Sequence, residues 1–468
     1  MIREQLSPIL DVTRPLAERF DAAGKRLYLV GGIVRDLLAG RSLTHQDIDL
    51  TTDARPEETK RLVAGWADAV WTQGERFGTI GAKHGEESFE ITTHRAEAYR
   101  PDSRKPAVVY ADAIEADLSR RDFTVNAMAL TLPDPELIDP FDGSADLLVD
   151  RRLRTPLGAE ESFNDDPLRM LRAARFVAGY GLVPDAPVLD AISHLRHRLE
   201  IVSAERIRDE LDKLLVVEDP TAGLWLLHDT QLFEEFLPEI PGLRLEQDPI
   251  HRHKDVLAHT FAVVANVAPT RADGSPNTIV RLAALLHDVG KPKTRSVSRN
   301  GVSFHHHEVV GARMARERLT ALRYPAHEID AVTRLVYLHL RFHGYDEGEG
   351  GWTDSAVRRY VRDAGDLLDE LNELTRCDCT TRNERRAREL AHRMDALESR
   401  IERLGQEEEL KSIRPDLDGN EVMALLDITP GKAVGDAMAF LLEARLDEGP
   451  LGKQEAARRL KDWWASRT

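Results

Sequence analysis

The sequence predicts an α+β N-terminal head followed by a long all-α body. Two observations carry this. Short apolar or alternating runs, the mark of strands, are confined to residues 1–150. Beyond them, apolar residues recur at helical spacing almost to the C-terminus. A chain of 468 residues has material for several domains.

In order, residues 1–23 read as an amphipathic helix and 27–30 (LYLV) as a short apolar strand. Gly31-Gly32 forms a turn, and 33–39 reopens as a helix. Residues 46–51 (QDIDLT) alternate like a strand, and GTIGAKH and SFEITTHR read as two more with a turn between. The polar stretch 97–117 has two prolines and no period, so it reads as a long flexible loop. Residues 121–132 start helical. Helices are then expected at 166–178, 204–217, 253–267, 278–288, 307–320, 326–340 and 354–376, with loops at 269–278 and 343–353. No internal repeat or low-complexity tract stands out.

The bulk numbers exclude several classes. No run of eighteen apolar residues is present, so no membrane span is expected. The N-terminus carries charges and a proline where a signal peptide would be apolar. The only cysteines, Cys377 and Cys379, form a lone C-x-C, a weak metal or redox signal. Together these favour a cytoplasmic protein. The net charge of −17 argues against whole-surface attraction to nucleic acid, though not against a local basic groove.

The first chemistry-bearing constellation is Gly31-Gly32 followed by Asp47 and Asp49. Strand residues i and i+2 share a face, so the two aspartates lie together while Ile48 and Leu50 turn to the core. Crowded carboxylates raise a pKa unless a cation sits between them. Hard ions such as Mg²⁺ take oxygen ligands and bridge to phosphates, as metal-assisted phosphoryl transfer requires. Without a Cβ, Gly31 and Gly32 let the backbone approach a triphosphate. Arg35 lies one turn further on. A D-x-D or a GG turn alone is more often a solvated strand or a plain turn; the ordered set is what carries weight.

LVGGIVRDLLAGRSLTHQDIDLTT (29–52), RRDFTVNAMAL (120–130) and DPFDGSADL (139–147) together resemble the class II tRNA nucleotidyltransferases, which include CCA-adding enzymes and bacterial poly(A) polymerases. The resemblance continues into a tail from Arg414 to Leu451. It implies a polymerase-β-like nucleotidyltransferase head (1–150), a helical neck (151–245), an HD domain (246–400) and a helical, tRNA-binding tail (401–468). The implied activity is template-free, Mg²⁺-dependent addition of CCA to tRNA from CTP and ATP, with no membrane or DNA partner. Poly(A) polymerase, CC-only and A-only enzymes share these motifs. Residue by residue, Asp47 and Asp49 become the metal carboxylates, and Glu90 is a candidate third. Gly32 and Arg35 become triphosphate contacts, and Arg121 and Asp122 match a nucleotide-binding arginine and a ribose-contacting aspartate.

DDPLRMLRAARF (165–176) places Asp166, Arg169, Arg172 and Arg175 three residues apart. On one helix, Asp166 and Arg169 are neighbours. A carboxylate accepts from the exocyclic amine of C or A, and a guanidinium donates to ring acceptors. U and G present a carbonyl there and are refused. The family pattern has Glu where this chain has Asp165, which leaves open how Arg169 is braced. Arg172 and Arg175 are expected to reach the triphosphate. The plain alternative is that Asp165 or Asp166 caps the helix and the arginines face solvent.

A second set is His259, His287-Asp288, His307, His339 and Asp378. Adjacent His-Asp on an apolar helix needs partners for both groups. The ordered set resembles the HD phosphohydrolases, implying His259, His287, Asp288 and Asp378 as core ligands of a divalent transition metal or Mg²⁺, with His307 and His339 completing a dinuclear site. Lys291 is expected to contact phosphate or face water, and His251, His253 and His343 to be bystanders. The chain could then be mainly an HD metallophosphohydrolase whose head holds RNA, or a non-catalytic RNA-binding module.

Overall fold

The computed structural model describes residues 2–43, 47–98, 107–245, 255–298, 301–344, 353–380, 384–408 and 413–467. It falls into two compact units, Met1–Phe236 and Leu237–Thr468. Head and most of the neck thus form one body, and the HD region and tail the other. Among the described residues, no helix is long and apolar enough to cross a membrane.

The first unit is built on a seven-stranded mixed sheet. Its strands are β1 (Leu27–Val30), β2 (Ile48–Thr52), β3 (Ala69–Trp71), β4 (Thr79–His84), β5 (Glu87–Thr93), β8 (Ala129–Leu132) and β9 (Leu137–Ile138), in the order β3-β4-β5-β2-β1-β8-β9. A separate hairpin pairs β6 (Arg95–Ala98) with β7 (Ala107–Tyr110). Parallel neighbours need a crossover. The chain therefore leaves β2 through helix α3 (Pro56–Val63), forms β3 and β4, and returns as β5 beside β2. Helix α1 (Ile2–Ala22) and α3 pack against the sheet. Alternation does the sorting: Ile48, Leu50, Phe89 and Ile91 are buried, and Phe89 meets Trp66 just past α3 at 5.0 Å between ring centroids. Asp49 and Glu90 take the opposite face.

Helix α2 (Gly32–Leu38) and the strands at 46–51, 78–84 and 88–95 match expectation to within a residue or two. Two readings do not hold. Within 97–117, residues 107–110 pair with 95–98 and Ile114–Ser119 is a helix, α4; residues 99–106 lie outside the described residues. The stretch 121–132 makes one 3-10 turn and then β8. Its run of buried apolar residues sits between β1 and β9, and such a strand has no alternation to separate it from a buried helix.

The neck is helical: Ala159–Asp165, Arg169–Tyr180, Ala186–Leu195, Ala204–Leu215 and Thr221–Asp229. The helix expected at 166–178 begins only at Arg169, because Asp166 is extended (φ −140°) ahead of Pro167. The second unit contains helices Val256–Asn266, Thr278–Leu286, His307–Ala321, Ala326–Leu338 and Leu368–Cys377, then a tail of Gly419–Leu426, Lys432–Glu448 and Lys453–Ala465. The helix expected over 354–376 is two, broken at Gly365 (φ 58°), a conformation that favours glycine. In the tail, Asp418 and Glu421 form a reciprocal cap, and Leu417, Val422, Leu441 and Leu460 share a small core. Short hairpins such as Ser296–Ser298 with Gly301–Ser303 fell below what periodicity can detect.

Candidate functional site

On the open face of the sheet, parallel pairing sets Asp49 directly beside Glu90. Asp47 precedes β2 and is exposed, while Asp49 is half-buried. Burial pushes the Asp49 carboxyl up to about 6; Arg121 pulls it back, and the charges of Glu90 and Asp47 push further. Gly31 closes the group. Its φ is 77°, and a Cβ there would lie 3.2 Å from Arg121 Nη1 and 3.5 Å from Asp49 Oδ2. The structure therefore brings together Gly31, Asp47, Asp49, Glu90 and Arg121. An all-oxygen donor set around a carboxyl that resists ionising suits a hard divalent cation.

The other arginines expected at the nucleotide, one in the head and two in the neck, have internal partners. Arg35 is buried and donates to both oxygens of Asp36 (3.0 and 2.9 Å) and to Asn126 Oδ1 (2.6 Å), with the Tyr180 ring beneath it at 4.5 Å. It braces the turn: a Cβ on Gly32 would meet its Nη2 at 3.3 Å. Arg172 grips Asp122 through Nε at 2.8 Å, and Arg175 pairs with Glu210. Of the arginines expected at the nucleotide, Arg35, Arg172 and Arg175 are thus held in ion pairs, and Arg121, itself paired with Asp117 at 3.3 Å, also lies beside the carboxylates. Asp122, expected at the ribose, is buried and also accepts from the Phe123 N–H and Asn126 Nδ2, both at 2.8 Å. Against the cost of burial, Arg172 and Asn126 hold its carboxyl far below the usual range. Arg121 and Arg120 likewise hold buried Asp117 down at about 2.

Asp166 and Arg169 do not share a helix face, because Asp166 lies outside the helix. Asp166 accepts from Arg206 Nη2 at 2.8 Å and from the Leu168 N–H at 3.2 Å. Arg169 donates to Ser162 Oγ at 2.7 Å and to the Arg120 carbonyl at 2.6 Å. Those two contacts supply the brace that Asp165 left open. Arg206 and Ser162 were not anticipated; nothing local to SAERIRDEL or ESFND links them to Asp166 or Arg169.

In the second unit all the expected histidines converge. Asp288 lies 3.2 Å from His287 Nε2, 3.8 Å from His259 Nε2 and 3.3 Å from His307 Nε2. Asp378 lies 2.9 Å from His259 Nε2 and 3.7 Å from His287 Nε2. His287, His307 and His339 each donate Nδ1–H to the carbonyl three residues earlier, at 2.7, 2.8 and 2.7 Å. A neutral ring so fixed offers a bare lone pair at Nε2. Yet His307 and His339 set those two atoms 3.3 Å apart, and His287 Nε2 and Asp288 Oδ1 are buried without a hydrogen-bond partner. Facing acceptors repel unless a cation joins them, so the donor set fits a metal. The groups His259-His287-Asp288 and Asp288-His307-His339 each have ligating atoms within 4.8 Å of one another. Burial drives His339 down to about 3 and keeps that ring neutral, whereas Asp288 and Asp378 overcome burial and lift His287 to about 9, so its Nε2 carries a proton unless a cation takes that place. Lys291 Nζ donates to Asp288 Oδ2 at 2.6 Å. Thr380 Oγ1, unforeseen, meets His259 Nδ1 at 2.7 Å. Cys377 and Cys379 are free thiols, and burial pushes Cys377 up to about 12. His251 and His253 lie outside the described residues, as does the His343 side chain.

Comparison with known proteins gives a consistent picture. Residues 27–154 match the family described as Poly A polymerase head domain, 181–243 one described as Probable RNA and SrmB-binding site of polymerase A, and 256–383 the HD domain. The A-adding tRNA nucleotidyltransferase of Deinococcus radiodurans is 33% identical over 450 residues, covering 94% of this chain and 96% of that enzyme. The CCA-adding enzyme of Lactiplantibacillus plantarum is 38% identical over 234 residues, 50% of this chain and 56% of that enzyme. Among solved structures, the Bacillus stearothermophilus CCA-adding enzyme in complex with CTP shares the fold at TM-score 0.68 and 22% identity, covering 99% of this chain and 98% of that one. The Thermotoga maritima CCA-adding enzyme complexed with tRNA does so at TM-score 0.61 and 19% identity, covering 99% and 97%.

Proposed function

The chain belongs to the tRNA nucleotidyltransferase family, and from that premise we propose that it adds nucleotides without a template to the 3′ end of tRNA, building CCA from CTP and ATP with release of pyrophosphate. The observation that carries this reading is the register setting Asp49 beside Glu90 under the Gly31 turn. Asp47, Asp49 and Glu90 would hold Mg²⁺, which when bound acidifies the attacking hydroxyl and offsets the triphosphate charge. Gly31 and Gly32 let the triphosphate approach the backbone. Arg121 offsets charge that develops on the leaving pyrophosphate. Asp166 accepts from the exocyclic amine of C or A, and Arg169 donates to ring acceptors, each with capacity left beyond its internal bonds. U or G would leave Asp166 facing a carbonyl, a cost of about 1–3 kcal/mol. Asp122 and Arg172 position this apparatus by tying the head motif to the neck helix.

One observation favours a narrower reading, addition of A alone. A relative whose sequence aligns over 96% of its length is the A-adding enzyme of Deinococcus radiodurans, whereas the alignment to the Lactiplantibacillus plantarum CCA-adding enzyme covers 56% of that enzyme. The test is a ladder of tRNAs ending at the discriminator base, at C and at CC, offered each nucleotide singly and then CTP with ATP. Growth of all three to CCA and no further supports full addition. Growth of the CC-ended tRNA alone, by one A, supports the narrower reading. A runaway A tail or no extension overturns both.

We infer further that the histidine cluster binds a divalent transition metal or Mg²⁺ and hydrolyses phosphoesters at RNA ends, 2′,3′-cyclic phosphates among them. His259, His287, Asp288 and Asp378 would hold the metal, with His307 and His339 completing a second position. When bound, such ions make water a nucleophile near neutral pH. Opening of a 2′,3′-cyclic phosphate on a short RNA, lost in Asp288→Ala, tests this; equal rates with and without chelator would refute it.

A further inference from the structure

The register of the sheet places one more side chain on the carboxylate face. Asp49 pairs with Glu90, Glu90 with Gly81, and Gly81 with Trp71, a single row across β2, β5, β4 and β3. Residues in such a row point to the same side of the sheet. Trp71 sits on the edge strand and remains 37% exposed. Its indole folds inward over Gly81: a Cβ there would lie 1.9 Å from Nε1 and 2.0 Å from Cε2. Gly81 is thus the vacancy that lets the ring lean toward Glu90. Strands are spaced by about 4.8 Å, so the ring lies roughly one strand from the Glu90 column. Its surroundings on this face are small and polar, Ser88, Thr79 and Thr92, with exposed Lys83 on the next row.

We propose that Trp71 is the stacking platform for the RNA primer, receiving the base next to the reacting 3′-terminal nucleotide, with Lys83 beside the backbone phosphate. This rests on the nucleotidyl-transfer reading for its substrate. An aromatic face beside a cation, in line with a carboxylate cluster, suits a nucleobase on a polyanion. A stacked base is insensitive to sequence, which fits a primer end whose identity changes as it grows.

The test is binding of a fluorescent acceptor-stem minihelix ending in CC, measured by anisotropy with no nucleotide present. Trp71→Ala should weaken binding about tenfold, in the range that loss of one base–aromatic stack produces. Trp71→Phe should stay within about threefold of wild type. Gly81→Ala, which displaces the ring but keeps it, should also weaken binding, and serves if Trp71→Ala fails to fold. On a minihelix abasic at the penultimate position, wild type and Trp71→Ala should bind alike. Equal binding of wild type and the folded variant, or a difference that persists on the abasic RNA, overturns the proposal; the second result would make Trp71 a plain sheet-edge cover. Because the assay reads binding, a wild-type protein that binds but extends no tRNA refutes the nucleotidyl-transfer reading, while the variants still decide the role of Trp71.

Discussion

Asp49 is half-buried and Asp288 buried, each beside a cationic side chain, yet their surroundings treat them oppositely. Burial lifts Asp49 to about 6 despite Arg121. Asp288 is held well below the carboxylate range by His287 and Lys291, against the cost of burial. Asp49 lies on an open sheet face with exposed Asp47 and Glu90 around it. Asp288 lies in a pocket where its own side chain and that of His287 are 1% exposed. On the proposed reading the difference has a use. An open, under-neutralised carboxylate face would take a cation that arrives with a polyphosphate and an RNA end, and a sealed pocket of pinned imidazoles would hold its own.

The largest expected effect isolates a third kind of acid, one whose cation is built in. Arg172→Met leaves Asp122 buried and unpaired, which should cost about 3–5 kcal/mol in urea unfolding. Adding Asp122→Asn should recover a good part of that. A loss under 1 kcal/mol would mean that this pair does not join head to neck. Next, Asp288→Ala should weaken binding of divalent metal to the helical unit at least a hundredfold by calorimetry, with tRNA extension within twofold of wild type. Loss of extension in a folded variant would break the separation of the two sites.

Acid then separates activity from stability. Asp49 titrates near 6, and only its ionised form holds a cation, so extension should fall as pH drops below about 6. Asp117 has the opposite sign: its folded pKa of about 2 lies below the unfolded 3.8. It contributes about 2 kcal/mol that is fully present above pH 4 and lost as pH falls toward 2. Activity should therefore fail while the melting temperature still holds. Coincident loss would contradict the contrast between the two acids. The smallest effect concerns support of a ligand: Thr380→Val removes the partner of His259 Nδ1 and should weaken metal binding to the helical unit about tenfold. No change would make that contact incidental.

What the sequence disclosed follows the range of the interactions. The glycine turn and Asp49 on its strand are local patterns and appear where the chain suggested; Asp47 falls just before that strand, and the histidines were legible as an ordered set although only tertiary packing brings them together. The pairing of Asp49 with Glu90 is set by a parallel crossover, which no local pattern encodes. Asp122 and Arg172 stand 50 residues apart, and Asp166 and Arg206 stand 40 apart, so their partnerships depended on tertiary packing. That is why Arg35, Arg172 and Arg175 were legible as cations while their carboxylate partners Asp36, Asp122 and Glu210 were not legible as such. β8 escaped for a related reason: a strand buried on both faces carries no period.

The most direct test is single-turnover extension of CC-ended tRNA with ATP and Mg²⁺, comparing wild type with Asp49→Asn at matched melting temperature. The account predicts one added A for wild type and a rate at least a thousandfold lower for the variant, whose substitution keeps the shape and removes the charge. Extension by Asp49→Asn within a few-fold of wild type would contradict it.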